Sequence, residues 1–505
     1  MDAQAAVAPP TTTSLLRSGA LSLITSAAPL VVALAALPLL TRRLGSERLG
    51  LLALAWAWLG YATLLDFGLG RALTRLVSAS DVGEALEAPI GALVATAHLL
   101  LAGVGMMVGV AGALLAPWYV GDALQVSDAV RNDALWSAII FALTVPAVTG
   151  ASVPRAVLEA RLRFREVNLI RLPVSVGTFA IPVILLPLTT SLTAIAASLA
   201  VLRAWAWWRY ASIARRSMPR DDLSVPALGH VPRLLRAGAW MTVSNVLSPL
   251  MTVADRFLVG SMVSIAAVAL YAVPWEAITK LLIVPGAVTM VIFPAVSRAA
   301  VSRGEALVPL HGAGLRLVAV LVLPACAAAC LLAPWLLLIA GGAEYRGESV
   351  LVLRILAVGV AANGMAAIPY SLLQASGRAR WTATLHLMEI VPYLVLLWFA
   401  VERWGIVGAA AAWTARVVID GLLMAWCAQL VAPLRRGPRL LNAVGLVSVG
   451  LCAWAGSLPP RTGNGAPLIA AALLAGGVTL LAWTGRSAEE RLVLGGVRGH
   501  GPVAP

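Results

Sequence analysis

At 505 residues, 60% hydrophobic and 12% charged, with mean hydropathy +0.90, the chain has the composition of a protein whose solvent is lipid. A formal charge of +14 would suggest nucleic acid in a soluble domain, but the arginines sit in short loops between apolar runs, where they act as orientation signals. Lys280 is the only lysine, and the four cysteines form no CxxC; Cys326 and Cys330 share a helix face and read as packing residues.

Residues 1–18 read as a cytoplasmic tail with no basic run and no convincing cleavage site, so the first apolar segment is expected to be a retained helix. About fourteen segments approach the roughly 20 residues needed to cross a bilayer. In order they fall near 19–41, 49–70, 89–117, 134–157, 169–188, 190–212, 237–260, 264–296, 313–340, 350–374, 382–401, 405–432, 440–458 and 466–484.

Alternate loops differ in arginine. With the N-terminus inside, the cytoplasmic loops hold about 25 arginines, among them Arg71, Arg75, Arg155, Arg161, Arg163, Arg215 and Arg378, and the opposite loops about seven. Both termini are therefore expected in the cytoplasm. The longest outside loop, near 118–133, carries Asp122, Asp128 and Asp133. No extramembrane enzyme domain fits, and the chain is not expected to be an enzyme.

Leu15-Leu16-Arg17-Ser18-Gly19-Ala20 returns as Leu234-Leu235-Arg236-Ala237-Gly238-Ala239, and Leu158-Glu159-Ala160 returns as Leu373-Gln374-Ala375, at nearly one offset. That offset spans six helices, an even number, so the two copies are expected to point the same way through the membrane. The expected fold is all-α and polytopic: an N-lobe over 19–213, a cytoplasmic linker over 214–236, a C-lobe over 237–432, two further spans over 433–484 and a cytoplasmic tail over 485–505. Two such lobes rocking about a midplane site make an alternating-access transporter.

A charge near the bilayer centre costs about 2.5–3.5 kcal/mol on insertion scales, so each asks for a partner or a wet cavity. The first half holds Asp66, His98 and Arg203; the second holds Asp255, Arg256, Glu276, Lys280, Arg354, Glu389, Arg416 and Asp420. Glu276 and Lys280 stand four apart, acid first, the favourable order for a helical pair, and Arg416 and Asp420 also stand four apart. Each pair either neutralises itself or lines a polar cavity that offers Lys280, Arg416 and Arg256 to an anionic substrate, with Glu276, Asp255, Asp420 and Glu389 available as coupling acids. Arg256 could alternatively snorkel outward, as Arg354 is expected to do. Asp66, Arg71 and Arg75 mark the cytoplasmic mouth of the second span. Trp205, Trp207 and Trp208 read as an interfacial belt. Pro249, Pro274, Pro285 and Pro294 predict bent helices in the seventh and eighth spans. No Walker A loop or HExxH occurs, and the five histidines form no ligand cluster, so no metal or cofactor is expected.

Leu40-Thr41-Arg42-Arg43-Leu44-Gly45-Ser46-Glu47-Arg48-Leu49-Gly50 resembles the signature between the first two helices of the oligosaccharide flippases of the polysaccharide biosynthesis (Wzx-type) family. Asp66-Phe67-Gly68-Leu69 with Arg71 and Arg75 is similar to the end of that family's second helix, Asp255-Arg256-Phe257-Leu258-Val259-Gly260 to the end of its seventh, and Trp404-Gly405-Ile406-Val407-Gly408-Ala409-Ala410 to the opening of its twelfth. The resemblance implies a member of the multidrug/oligosaccharidyl-lipid/polysaccharide exporter superfamily in the bacterial inner membrane. It implies flipping of a polyprenyl-diphosphate oligosaccharide to the outer leaflet, with a polysaccharide polymerase or other export component as a possible partner and no nucleic acid. The first helix has no charge between Gly19 and Leu40, unlike what the lipid II branch and some drug exporters place there. An ion-coupled drug or small-metabolite antiporter on the same scaffold is the alternative.

Overall fold

The structure is a computed structural model that describes residues 12–63, 65–66, 69–70, 73–74, 76–77, 89–124, 126–161, 163–218, 250–251, 253–301, 307–434, 447 and 449–450. Arg71, Arg75, most of the 214–236 linker and all but three residues of the two C-terminal spans lie outside these residues. Helices and turns account for the described chain, with no strand among the described residues, as the bilayer demands of a chain that must satisfy its own backbone groups.

The helices are α1 (Thr12–Ala62), α2 (Ile90–Trp118), α3 (Asp128–Gly150), α4 (Ser152–Ala160), α5 (Phe164–Leu185), α6 (Leu192–Ser217), α7 (253–262), α8 (Ile265–Thr279), α9 (Ile283–Val301), α10 (Leu307–Gly341), α11 (Glu348–Ala375) and α12 (Ala379–Gln429). Seven helical stretches among the described residues are long and apolar enough to cross a membrane, from Ile90–Ala123 to Ala379–Gln429.

α1 and α12 are each 51 residues long, or about 77 Å at 1.5 Å per residue, more than twice a hydrocarbon core. Both contain a break at a glycine with positive φ, Gly45 at 76° and Gly405 at 54°. These breaks fall where the apolar pattern separates two spans. At Gly405 the chain doubles back, because a Cβ on Gly408 would collide with the carbonyl oxygen of Ala400, which a straight helix would carry far away.

α8 begins at Ser264, whose hydroxyl accepts from the Ala267 N–H at 3.0 Å. It ends in a 3-10 turn, Lys280–Leu282, before α9 continues. Pro285 explains the break: it has no N–H for the Leu281 carbonyl four residues back, and its ring crowds that position, so the ladder tightens just ahead of it.

The chain forms two compact units, one of residues 1–36, 68–114 and 139–238, the other of 37–67, 115–138 and 239–505. In the first, the Arg203 guanidinium donates to Thr178 Oγ1 at 3.3 Å, and Trp207 stacks on His98 with ring centroids 5.9 Å apart. Trp207 also lies against Gly150. Trp205 and Trp208 are exposed, as a belt requires, but Trp207 faces protein, because it fills the space that Gly150 leaves open.

In the second unit the Glu47 carboxylate accepts from the Ser127 N–H at 2.6 Å and from its hydroxyl at 2.8 Å, just ahead of α3, and Arg48 approaches Asp133 at 3.9 Å. Gly50 packs directly on the backbone of Ile265, leaving no room for a side chain. Cys326 and Cys330 are fully buried in α10, and the Arg354 guanidinium turns inward, donating to the Cys330 carbonyl at 3.2 Å rather than reaching away from the protein.

Candidate functional site

The intramembrane charges of the second unit gather into two neighbouring clusters. In the first, Asp255 and Arg256 are adjacent on α7, about 100° apart, and their side chains diverge. The Asp255 carboxylate is fully buried; it accepts from the Tyr271 hydroxyl and, at 2.7 Å, from the Arg256 backbone N–H. The Arg256 side chain crosses to α8, where Nη2 donates to Glu276 Oε1 at 3.2 Å and the guanidinium lies over Trp275, 5.5 Å from the ring centroid. From one turn further along, Lys280 Nζ reaches the other oxygen of Glu276 at 2.6 Å. One carboxylate thus ties two cations, as the four-residue spacing predicts for Lys280 and as nothing in the sequence predicts for Arg256. Arg256 does not snorkel.

The two cations differ in access. The Arg256 side chain is 6% exposed and that of Lys280 30%. Lys280 therefore presents the positive charge of the cluster, while Arg256 supports it from behind.

The second cluster joins the two halves of α12. Arg416 Nε stands 3.6 Å from Glu389 Oε2, and His386 Nε2 stands 3.7 Å from Asp420 Oδ1. The Arg416 guanidinium lies 5.8 Å from the Tyr393 ring centroid. The pairing expected within one helix, Arg416 with Asp420, is replaced by pairing across the hairpin, because the reversal at Gly405 brings Glu389 and His386 alongside. Both distances exceed a hydrogen bond, and both Glu389 oxygens are buried without a hydrogen-bond donor. The cluster sets two acids against one arginine and one histidine, so its only permanently charged cation is Arg416.

Aromatic rings tie the clusters together. Trp275 meets Trp413 edge-on with ring centroids 4.7 Å apart, and Tyr271 lies 5.9 Å from Trp275. Gly359 opens the space that the Trp413 ring occupies. Asp66 lies half-buried in the turn after α1. No sequence pattern marks Tyr271, Tyr393, Trp275 or Trp413; the position of His386 three residues before Glu389, on the same helix face, is the signal that could have found it.

The sequence profile of the "Polysaccharide biosynthesis protein" family matches residues 16–300, more than half of the chain. A candidate O-antigen transporter of Shigella flexneri is 30% identical over 420 residues, which are 82% of this chain and 97% of that protein. Among solved structures, the lipid II flippase MurJ in an inward closed conformation aligns over 96% of this chain and 100% of its own, with TM-score 0.67 and 12% identity. An inward-facing multidrug resistance MATE transporter of the MOP superfamily aligns over 81% of this chain and 97% of its own, with TM-score 0.63 and 15% identity. At these identities the two solved structures share the fold alone.

Proposed function

This chain belongs to the polysaccharide biosynthesis family of membrane transporters, and from that premise we propose that it flips a polyprenyl-diphosphate-linked oligosaccharide from the cytoplasmic to the outer leaflet, for O-antigen, capsule or exopolysaccharide assembly. The observation that carries the substrate class is the convergence of Arg256 and Lys280 on Glu276 within a membrane-spanning region. Cations at that depth are costly, and a diphosphate is the part of such a lipid that requires them. Lys280 would meet the diphosphate, Arg256 would hold its position, and Arg416 would add positive potential from the second cluster. The sugars would need water and the lipid tail would stay in the bilayer.

Alternating access of two six-helix lobes would move the headgroup, with Asp66, Arg71 and Arg75 at the cytoplasmic mouth. Asp255, Glu389, Asp420 and Glu276 are the acids available for coupling. Of these, Glu389 and Asp420 fit best, since their cluster lacks one positive charge for balance. No cofactor enters this scheme.

The test is the lipid extract of a strain lacking the gene, analysed by mass spectrometry. One discrete polyprenyl-diphosphate oligosaccharide should accumulate and disappear when the gene is restored. An unchanged profile in cells that make the glycan, together with new sensitivity to cationic compounds, would favour an antiporter instead.

A further inference from the structure

The two oxygens of Glu276 are held by cations from different elements: Arg256 of α7 at 3.2 Å and Lys280 of the 3-10 turn at 2.6 Å. Resting on the flippase reading, we infer that Glu276 is a resident stand-in for the substrate's diphosphate, occupying both cations in the empty carrier and surrendering Lys280 when the lipid arrives. Its two oxygens, each facing one cation, present what two oxygens of a diphosphate would present.

The unequal exposure of the two ties says which one opens. Arg256 is enclosed, with its guanidinium over Trp275 and its neighbour Asp255 fixed by Tyr271. Lys280 is the more accessible one, and an ammonium on a flexible four-carbon stem can turn to a new anion. Its backbone opens the 3-10 turn, where the helical ladder is already broken ahead of Pro285. Asp255 cannot take over from Glu276, since its oxygens are bound to the Tyr271 hydroxyl and the Arg256 N–H.

Two consequences follow from a built-in competitor. The empty site avoids two uncompensated cations in a poorly solvated place. Selection also sharpens, because an incoming anion must outbid a carboxylate for Lys280: a diphosphate with more charge and more acceptor oxygens does so, and a monophosphate does so poorly. Glu276 thereby sets specificity and keeps affinity low enough for release.

Lys280 being the only lysine in the chain, an amine-acylating reagent reads this site directly. The purified full-length protein is acylated in the presence of increasing farnesyl diphosphate or farnesyl monophosphate, and the peptide containing Lys280 is quantified by mass spectrometry. Wild type should be protected by the diphosphate and hardly by the monophosphate. Glu276→Gln should reach half-protection at a diphosphate concentration at least tenfold lower and should lose most of its preference over the monophosphate. Glu276→Asp, which keeps the charge but sets the carboxylate back by one methylene from both cations, should lie between, and it decides the matter if the Gln variant does not fold. Unchanged half-protection and unchanged preference in the folded variants would overturn the stand-in and leave the flippase reading in place. Absence of protection in wild type and variants alike would overturn both this inference and the assignment of Lys280 to the substrate.

Discussion

Replacing Gly50 by alanine adds one carbon where α1 meets the start of α8. That carbon would lie 3.0 Å from the Ile265 carbonyl carbon and 3.1 Å from its Cγ2, and it would collide with the Ile265 carbonyl oxygen. Carbon atoms pack at about 3.5–4.0 Å, so the two backbones must separate by at least about 0.5 Å, and by more to clear the oxygen. Neither side has a flexible group to move aside. Overpacking of this kind costs about 1–3 kcal/mol, while alanine returns about 0.5–1 kcal/mol of helix propensity over glycine. The net loss is about 0–2.5 kcal/mol and lies in the upper part of that range because the clash is with backbone, and for large domains each kcal/mol lowers the melting temperature by about 2–4 °C. Gly103, in the middle of α2 with nothing within 4 Å of an added Cβ, provides the control. Tryptophan fluorescence during heating of the detergent-solubilised protein should show Gly50→Ala melting a few degrees below wild type and Gly103→Ala at or above it. If Gly50→Ala melts as high as Gly103→Ala, the close approach of α1 and α8 is wrong.

Lys280→Ala should leave the amount of protein in the membrane near normal, because Glu276 keeps Arg256, yet the strain should accumulate its lipid-linked saccharide as a null strain does. Arg416→Ala should be harsher, since it strands Glu389, whose carboxylate oxygens are buried; removing one partner of a buried pair costs about 3–5 kcal/mol. Its thermal stability should fall sharply and recover in part when Glu389→Gln is added. Tyr271→Phe removes the hydroxyl that donates to Asp255 and should cost about 1.5–3 kcal/mol, the range for hydrogen bonds to charged groups, read as a lower melting temperature with the fold retained.

What the sequence makes legible is governed by distance along the chain. The apolar runs and the gaps near 41–49 and 401–405 foretell both breaks inside the long helices, because bilayer thickness limits a span and glycine alone is at ease at the φ of Gly45 and Gly405. The Glu276–Lys280 tie is legible for the same local reason, four residues being one helical turn. The second cluster obeys a different logic. Arg416 and Asp420 have the right spacing for each other, but their partners, Glu389 and His386, come from before the reversal, and no periodicity states which face of one span meets which face of the next. Arg256 and Trp207 teach the same point. One finds an acid on the neighbouring helix and the other a glycine-made recess, so neither behaves as its distance from a span end suggests.

The division between the two compact units crosses the chain five times, and three crossings fall inside helices: at residues 36–37 in α1, 114–115 in α2 and 138–139 in α3. Pro38 and Pro117 have no N–H for the carbonyls of Leu34 and Ala113, so in α1 and α2 the missing rung brackets the crossing. In α3 the nearest proline, Pro146, lies two turns further on. In α1 and α2 the chain therefore passes from one unit into the other without leaving the helix, at the point where a proline has already freed a helical carbonyl.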